Sequence, residues 1–196
     1  MNKAIIYTDG SCHGNPGPGG YAAIVTQDGI TKEVHGADWY TTNNRMELMA
    51  VIEGLKLLGK PSAVEIVTDS KYVANQINKG NLKSFIQDPN RKNADLWQVI
   101  YRQSVKHALS ATWVRGHSGH KQNQRCDSLA NMEATRLENE KEIRIFTVSE
   151  LLKDVTTTPE QIAARFRSGY PLDLVQKYYN QFFYKMSGVG GVPDGE

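Results

Sequence analysis

A chain of 196 residues with 39% hydrophobic residues can bury one domain-sized core and still carry an extension of a few tens of residues. No apolar run approaches the ~20 residues that span a bilayer, and the N-terminus has no signal-peptide pattern, so we expect a cytoplasmic protein with no membrane partner. Two cysteines, Cys12 and Cys126, exclude a disulfide framework and a closed zinc site. The net charge of +2 excludes little.

Hydrophobic periodicity and turn residues predict an α/β domain in the first 140 residues. Gln27-Asp28-Gly29 is typical of a hairpin turn, and the glycine- and proline-rich residues 14–20 predict a tight loop. In chain order, the predicted elements are strands over residues 3–8, 21–26 and 30–36, a helix over 43–58, a strand over 63–68, helices over 70–78 and 93–107, a strand over 111–114 and a helix over 124–139. This is the order βββαβααβα, with the first three strands antiparallel.

Four acidic residues stand out by their positions in these elements. Asp9 and Asp69 each directly follow a predicted strand, and the ends of neighbouring parallel strands meet at one edge of a sheet. Glu47 lies on the helix between them, four residues after Asn43 and on the same face. Asp127 lies on the last helix of the domain. Because gathered carboxylates repel one another, this pattern predicts a site for divalent cations, with Mg²⁺ or Mn²⁺ favoured by oxygen ligands.

The charge distribution points to a polyanionic substrate. Residues 71–125 carry ten basic residues but only two acids, Asp88 and Asp95. A basic segment beside a carboxylate cluster fits a substrate whose phosphates are held by Lys and Arg. Two metal ions roughly 3.5–4 Å apart would then support phosphodiester hydrolysis. A solvated helix face with unbalanced charge is the alternative interpretation of the basic segment.

The character of the sequence changes after about residue 140. Seven basic and seven acidic residues balance one another in residues 141–196. Thr158-Pro159-Glu160 predicts a helix start and Gly169 a stop, and a second amphipathic helix is expected over residues 172–186. The last ten residues are expected to be disordered. We therefore expect a catalytic domain over residues 1–140 and a helical extension over residues 141–196.

Five segments carry a resemblance to a known family: TDGSCHGNPGPGGYA, TTNNRMELMAVIEGL, TDSKYV, NADLWQ and GHSGHKQNQRCDSLA. Over residues 3–138 the chain resembles type 1 ribonuclease H. The resemblance implies a ribonuclease H-like α/β fold, with a five-stranded mixed sheet flanked by helices. It also implies an endonuclease that hydrolyses the RNA strand of RNA/DNA hybrids, leaves 5′-phosphate and 3′-hydroxyl ends, and removes RNA primers and R-loop RNA during DNA replication.

The resemblance assigns roles to individual residues. The family's four catalytic carboxylates, which hold two Mg²⁺ ions, match Asp9, Glu47, Asp69 and Asp127. In the family, the first of these bridges both ions, the last helps to hold the ion that activates water, and the other two complete the shell of the second ion. Mn²⁺ is expected to substitute for Mg²⁺. His117 matches a mobile histidine of the family, and His120 is the weaker candidate for this role.

A further set of residues matches positions that contact the hybrid: Cys12, Asn15, Thr42, Asn43, Asn44, Lys71 and Asn93. Amide side chains suit the recognition of 2′-hydroxyls because they both donate and accept hydrogen bonds. Cys12 has an equal alternative as a small packing residue. Thr42 and Asn93 match residues that hold a DNA-strand phosphate, and both also fit helix caps. The family often has glutamine at the position of Lys71.

Two departures from the family pattern limit the resemblance. The best-known bacterial members have a long protrusion rich in Trp and Lys before the NADLWQ helix, where this chain has only residues 80–92. Lys83, Arg91 and Lys92 remain there to contact phosphates. The second departure is the extension after residue 140, which could pack on the core, contact the hybrid in place of the protrusion, or bind a protein partner.

Other functions share the acidic pattern. A DnaQ-like exonuclease and an integrase-type nuclease also use clustered carboxylates, but the asparagines and the HSGH segment argue against both. A hybrid-binding module that no longer cleaves is another class, and the presence of all four acids argues against it. A component of a replication or reverse-transcription complex stays open, as does the oligomeric state, for which a monomer is the default expectation.

Overall fold

The structure is a computed structural model that describes residues 2–116, 120–165 and 171–186. Its internal contacts divide the chain into two compact units, Met1–Leu137 and Glu138–Glu196. Among the described residues, no helix is both long enough and apolar enough to cross a membrane.

A single five-stranded sheet forms the centre of the first unit. The strands are β1 (Asn2–Cys12), β2 (Gly17–Gln27), β3 (Ile30–Thr41), β4 (Ser62–Thr68) and β5 (Ala108–Trp113). They lie in the order β3-β2-β1-β4-β5, with β1, β2 and β3 antiparallel and with β4 and β5 continuing the sheet in parallel. The predicted mixed sheet and its initial hairpin are confirmed.

Strand β2 begins earlier than the sequence predicts. Gly17–Gly20 was expected to form a loop, yet these residues pair with β1 and β3. A Cβ at Gly20 would lie 2.2 Å from the carbonyl oxygen of Ala130, so only glycine fits here. Gly20 therefore marks a close approach to a helix and not a turn.

The helices that begin in the first unit are α1 (Asn43–Lys56), α2 (Lys71–Asn78), α3 (Ser84–Gln87), α4 (Ala94–Ser104) and α5 (Lys121–Lys153). The predicted cap of α2 is confirmed, since the Ser70 hydroxyl accepts a hydrogen bond of 3.4 Å from the Val73 N–H. The predicted order is wrong in one respect, because it lacks the short helix α3. The prediction of residues 124–139 is also too short for α5, which continues to Lys153.

Two apolar cores cover the two faces of the sheet. Alternate residues of a strand point to opposite faces, so Ile6 packs in the larger core with α1, α2, α3 and α4, whereas Tyr7 packs in the smaller core with the start of α5. Trp97 of α4 is fully buried in the larger core. Burial of each large apolar side chain contributes roughly 1.5–3 kcal/mol. This packing fixes α1 and α5 on either side of β1.

Helix α2 is also bonded to the last strand of the sheet. The Asn78 side-chain amide donates to the Ala111 carbonyl oxygen at 2.7 Å, and its oxygen accepts from the Ala111 N–H at 2.9 Å. Two hydrogen bonds to one residue hold the end of α2 at the level of the middle of β5. They satisfy both backbone groups of that residue.

The second unit consists of the end of α5 with α6 (Pro159–Arg165) and α7 (Leu172–Met186). Its core contains Ile143, Leu151, Ile162, Val175 and Tyr178. The predicted start of α6 is confirmed as a capping box, in which the Gln161 N–H donates to the Thr158 hydroxyl and the Thr158 N–H donates to the Gln161 side chain. The prediction of α7 is confirmed. Gly169 and residues 187–196 lie outside the described residues.

Candidate active site

Two acids meet at one edge of the sheet because their strands are parallel neighbours. The pairing of β1 with β4 ends at Thr8 and Thr68, and Asp9 and Asp69 follow these two residues. The expectation that Asp9 lies beyond its strand is wrong in detail, since β1 continues along β2 as far as Cys12. Asp9 therefore lies inside β1, with strand residues before and after it in the chain. Its side chain lies beyond the point where the pairing with β4 has ended.

Glu47 joins these acids because α1 packs unusually close to β1. A Cβ at Gly10 would lie 2.3 Å from the Glu47 backbone nitrogen, so a glycine at this position is required for the contact. Glu47 is only 4% exposed. Single carboxylate oxygens of Asp9, Glu47 and Asp69 lie within 4.8 Å of one another, a grouping that can hold a metal ion.

The electrostatics of this acidic cluster are unfavourable without a cation. Burial, followed by the charges of Asp69 and Asp127, raises the pKa of Asp9 to about 8. Burial, followed by the charges of Asp9 and Asp69, also raises the pKa of Glu47 well above its ordinary value. One buried oxygen of Glu47, Oε2, has no hydrogen-bond partner among the described residues. An unpaired buried carboxylate oxygen beside two other acids fits a divalent cation as its missing partner.

Asp127 lies near this cluster but is not among its three residues. It is half-buried on α5, and its charge contributes to the raised pKa of Asp9. The Asn131 amide donates to Asp127 Oδ1 at 2.8 Å, and the Asn131 oxygen accepts from the Ser11 hydroxyl at 2.6 Å. Sequence reasoning missed Ser11 and Asn131 as positioning residues. The available signal was the spacing of four residues between Asp127 and Asn131 on one helix face.

The predicted hybrid contacts at the start of α1 lie beside the acids. The Asn43 N–H donates to the Asn15 side-chain oxygen at 3.2 Å, which ties the loop before β2 to the first residue of α1. The Asn43 side-chain amide also donates a hydrogen bond of 3.5 Å to Glu47 Oε1. Asn44 is half-buried on the same helical turn. The Cys12 thiol lies within hydrogen-bond distance of the Gly17 and Thr41 carbonyl oxygens, to either of which its one S–H can donate, and burial raises its pKa, so it stays a thiol.

Thr42 and Asn93 precede α1 and α4 as predicted, but neither side chain caps its helix. The capping expectation is therefore wrong. Asn93 has a left-handed backbone with φ of 59°, and its amide instead donates to the Tyr72 hydroxyl at 3.2 Å. The Thr42 hydroxyl oxygen is buried and has no hydrogen-bond partner in the described part of the chain. Both side chains thus keep hydrogen-bonding capacity that their helices do not use.

Lys71 is held by an aromatic residue that sequence reasoning did not select. Its ammonium lies 4.8 Å from the centre of the Trp113 ring, which is a cation–π contact. The Trp113 indole N–H donates to the Asp69 backbone oxygen at 2.8 Å. Trp113 therefore links a predicted substrate contact to one of the three clustered acids. His117 lies outside the described residues, and His120 is exposed just before α5.

The short segment in place of the protrusion is folded onto α4. Phe85 of α3 is buried and stacks on Trp97 with ring centres 5.4 Å apart. Arg91 lies over the Phe85 ring at 3.9 Å and donates to the Ser84 hydroxyl. Arg91 is thus committed to packing, whereas Lys83 and Lys92 are exposed.

Comparison with known proteins places this geometry in a family. The family model described as RNase H matches residues 1–135. A Ribonuclease H of Sulfurovum sp. (strain NBC37-1) is 51% identical over 137 residues, which cover 69% of this chain and 92% of the relative. A Ribonuclease H of Campylobacter curvus (strain 525.92) is 44% identical over 149 residues and is covered in full.

Solved structures agree with the sequence relatives. LC9-RNase H1, described as a type 1 RNase H with the type 2 active-site motif, is similar with a TM-score of 0.61 and 32% identity, over 70% of this chain and 74% of that one. LC11-RNase H1, solved in complex with RNA/DNA hybrid, has a TM-score of 0.53 and 26% identity, over 68% of this chain and 97% of that one. The predicted ribonuclease H-like fold is confirmed. This chain therefore belongs to the ribonuclease H family.

Proposed function

We propose that this protein is an endonuclease that hydrolyses the RNA strand of RNA/DNA hybrids, leaving 5′-phosphate and 3′-hydroxyl ends. The observation that carries the proposal is the acidic cluster of Asp9, Glu47 and Asp69 beside the asparagines of α1, in a chain of the ribonuclease H family. The hybrid bound to LC11-RNase H1 supports the same substrate. Removal of RNA primers and R-loop RNA, DNA replication and a cytoplasmic place of action stay predictions, as does the monomer.

Asp9, Glu47, Asp69 and Asp127 are the residues that we propose hold two Mg²⁺ ions, for which Mn²⁺ can substitute. Their fit rests on the raised pKa of Asp9 and on the unpaired buried oxygen of Glu47. Oxygen-only ligands favour Mg²⁺ or Mn²⁺ over zinc. Bound metal supplies a Lewis acid and an activated water for displacement at phosphorus.

The protein's own side chains would orient both the acids and the hybrid. Asn43 donates to Glu47, and Asn131 donates to Asp127, so each amide restricts the rotation of a carboxylate. Asn15, Asn43 and Asn44 are proposed to contact hybrid 2′-hydroxyls or bases, since each amide can donate and accept. Cys12 is proposed to line the same surface.

The phosphate contacts follow from unused hydrogen-bonding capacity and charge. Thr42 and Asn93, which do not cap their helices, are proposed to donate to a DNA-strand phosphate, and the buried Thr42 hydroxyl would have to turn outward to do so. Lys71 is proposed to contact a phosphate from its position over Trp113. His117 is proposed to aid either proton transfer or the release of product and metal. The catalytic domain in this proposal spans residues 1–140, and residues 141–196 form the extension.

The test is cleavage of matched RNA/DNA, RNA/RNA and DNA/DNA duplexes by the intact chain, with Mg²⁺ and with EDTA. We expect cleavage of the RNA strand of the hybrid alone, at internal positions, and only with the metal. Cleavage from one end of the strand would instead favour an exonuclease. Binding of the hybrid without cleavage in either Mg²⁺ or Mn²⁺ would favour a binding module.

Trp113→Phe is expected to lower the turnover rate about three- to tenfold with little change in KM. Phenylalanine keeps the ring under Lys71 but removes the N–H that donates to the Asp69 backbone oxygen, a bond worth about 1 kcal/mol. Steady-state cleavage of a short hybrid measures both parameters. An unchanged turnover rate would exclude a positioning role for the indole N–H.

A further inference from the structure

An open apolar groove lies on the surface of the second unit, along α5 and between α5 and α7. A cavity of about 340 Å³ is lined by α5 and α7, a second of about 760 Å³ is lined, among the described residues, by α5 alone, and Arg144 and Val148 line both. Val148 and Phe182 are half-buried along it. We call this depression the α5/α7 groove. Nothing in the proposed ribonuclease activity uses it.

Large apolar side chains of the groove are exposed to solvent. Ile145 is 59% exposed, and Leu152 and Met186 are each 72% exposed. Ile145, Val148 and Leu152 follow one another at spacings of three and four residues, which places them along one face of α5. A contiguous row of exposed apolar residues in a folded unit is typical of a surface that another molecule covers.

The charged residues that line the α5/α7 groove in the described part of the chain all have one sign. They are Lys141, Arg144, Lys153 and Lys185, and no acid is among the described lining residues. Lys153 is paired with Glu150, at 2.6 Å. No ion pair is found for the other three within residues 120–165 and 171–186.

This excess of positive charge is local. Over residues 141–196 the basic and acidic residues are equal in number. Elsewhere in the second unit, Lys177 pairs with Glu140 and Arg165 pairs with Glu150, both at 2.7 Å. The acids Glu140 and Glu150 are themselves buried in these pairs. Within the described residues, Lys141, Arg144 and Lys185 are therefore cations without an ion pair beside the apolar centre of the groove.

We propose that the α5/α7 groove binds a short acidic segment of another protein, with large apolar side chains on the groove floor and carboxylates against the cationic border. Apolar contact supplies most of the binding free energy in such a groove, and complementary charge selects the partner. A nucleic acid backbone would use the cations but would leave the apolar floor uncovered. An anionic membrane fits a convex apolar face better than a concave one.

The first test measures binding of three fluorescein-labelled peptides to the intact chain by fluorescence anisotropy. One peptide alternates acidic residues with Leu and Phe, the second replaces its acids by Gln, and the third replaces its Leu and Phe by Ser. We expect saturable binding of the first peptide and at least about tenfold weaker binding of the other two. Absence of saturable binding of the first peptide would overturn the proposal.

The second test compares two doubly charge-reversed proteins. Arg144→Glu with Lys185→Glu is expected to weaken binding of the acidic peptide at least about tenfold. Lys3→Glu with Lys32→Glu is the matched control, because both lysines are exposed on strands of the first unit, and it is expected to bind as the original chain does. Equal weakening in the two proteins would show that binding depends on net charge alone, and it would overturn the proposed site.

The groove and the ribonuclease site are tested independently. Both charge-reversed proteins are expected to cleave a short hybrid at rates within about twofold of the original chain, because none of these residues is in the proposed catalytic machinery. A non-cleavable DNA duplex or phosphatidylserine vesicles can be tested as competitors of the acidic peptide. Equal displacement of the peptide from the original chain and from the Lys3→Glu, Lys32→Glu protein would assign the binding to general charge and overturn the proposal. A failure of the original chain to cleave the hybrid would contradict only the proposed ribonuclease function and not the proposed binding by the groove.

Discussion

Asp9→Asn is expected to reduce cleavage of the RNA/DNA hybrid about 10³-fold or more, while the protein stays folded. Asp9 is 6% exposed and shares its cluster with Glu47 and Asp69. Asparagine keeps the shape of the side chain but removes the negative charge that would bind metal. The measurement is the single-turnover cleavage rate with saturating Mg²⁺, together with circular dichroism of the purified protein.

Asp28→Asn is the matched control for this substitution. Asp28 lies in the turn between β2 and β3 and has a positive φ of 52°, which asparagine also tolerates. Its carboxylate pairs only with the exposed Lys60 among the described contacts. We expect cleavage close to that of the original chain. Full activity in the Asp9→Asn protein would overturn the assignment of the acidic cluster as the catalytic site.

In the metal-free protein, the free energy of unfolding is expected to fall as the pH rises from about 4 to about 8. The pKa of Asp9 is about 8 in the folded chain, against an ordinary value of 3.8. Between these values the folded chain holds a proton that the unfolded chain has released, so folding loses stability as the pH increases. The raised pKa of Glu47 acts in the same direction. The loss from Asp9 alone is on the order of several kcal/mol.

Mg²⁺ is expected to reverse this loss, because a cation favours the ionised carboxylates of the folded chain. At a concentration 100 times its dissociation constant, a ligand of the folded state stabilises by about 2.7 kcal/mol. Urea unfolding at pH 5 and pH 8, with EDTA and with Mg²⁺, measures both effects. Asp9→Asn should flatten the metal-free pH dependence, whereas Asp28→Asn should keep it. The same slope in all three proteins would contradict the proposed coupling of the acids.

The sheet and the meeting of two acids were predictable because each depends on a local pattern. Short apolar runs that end at Asp9 and Asp69 predict strands, and parallel strands bring their ends to one edge. The helical spacing of Asn43 and Glu47 likewise predicts a shared face, and their side chains lie within 3.5 Å. Hydrophobic periodicity and strand direction were sufficient to predict these parts of the fold and of the site.

Other features depend on contacts between distant parts of the chain, which no local pattern records. Gly17–Gly20 suggested a loop, but these residues pair with β1 and β3, and the nearby carbonyl of Ala130 in α5 leaves no room for a side chain at Gly20. The contact of Trp113 with Asp69 and Lys71 joins residues more than 40 positions apart. Helix α5 continues beyond the predicted residue 139 because Ile143 and Leu151 pack in the core of the second unit.

The double hydrogen bond of Asn78 also affects how the protein behaves at high concentration. Strand β5 is an outer strand, and an outer strand offers free N–H and C=O groups to which a strand of another molecule can add. Asn78 occupies both groups of Ala111 in the middle of β5. An incoming strand would have to break these two bonds before it could pair along the strand. A single amide side chain therefore protects the β5 edge of this sheet against edge-to-edge aggregation.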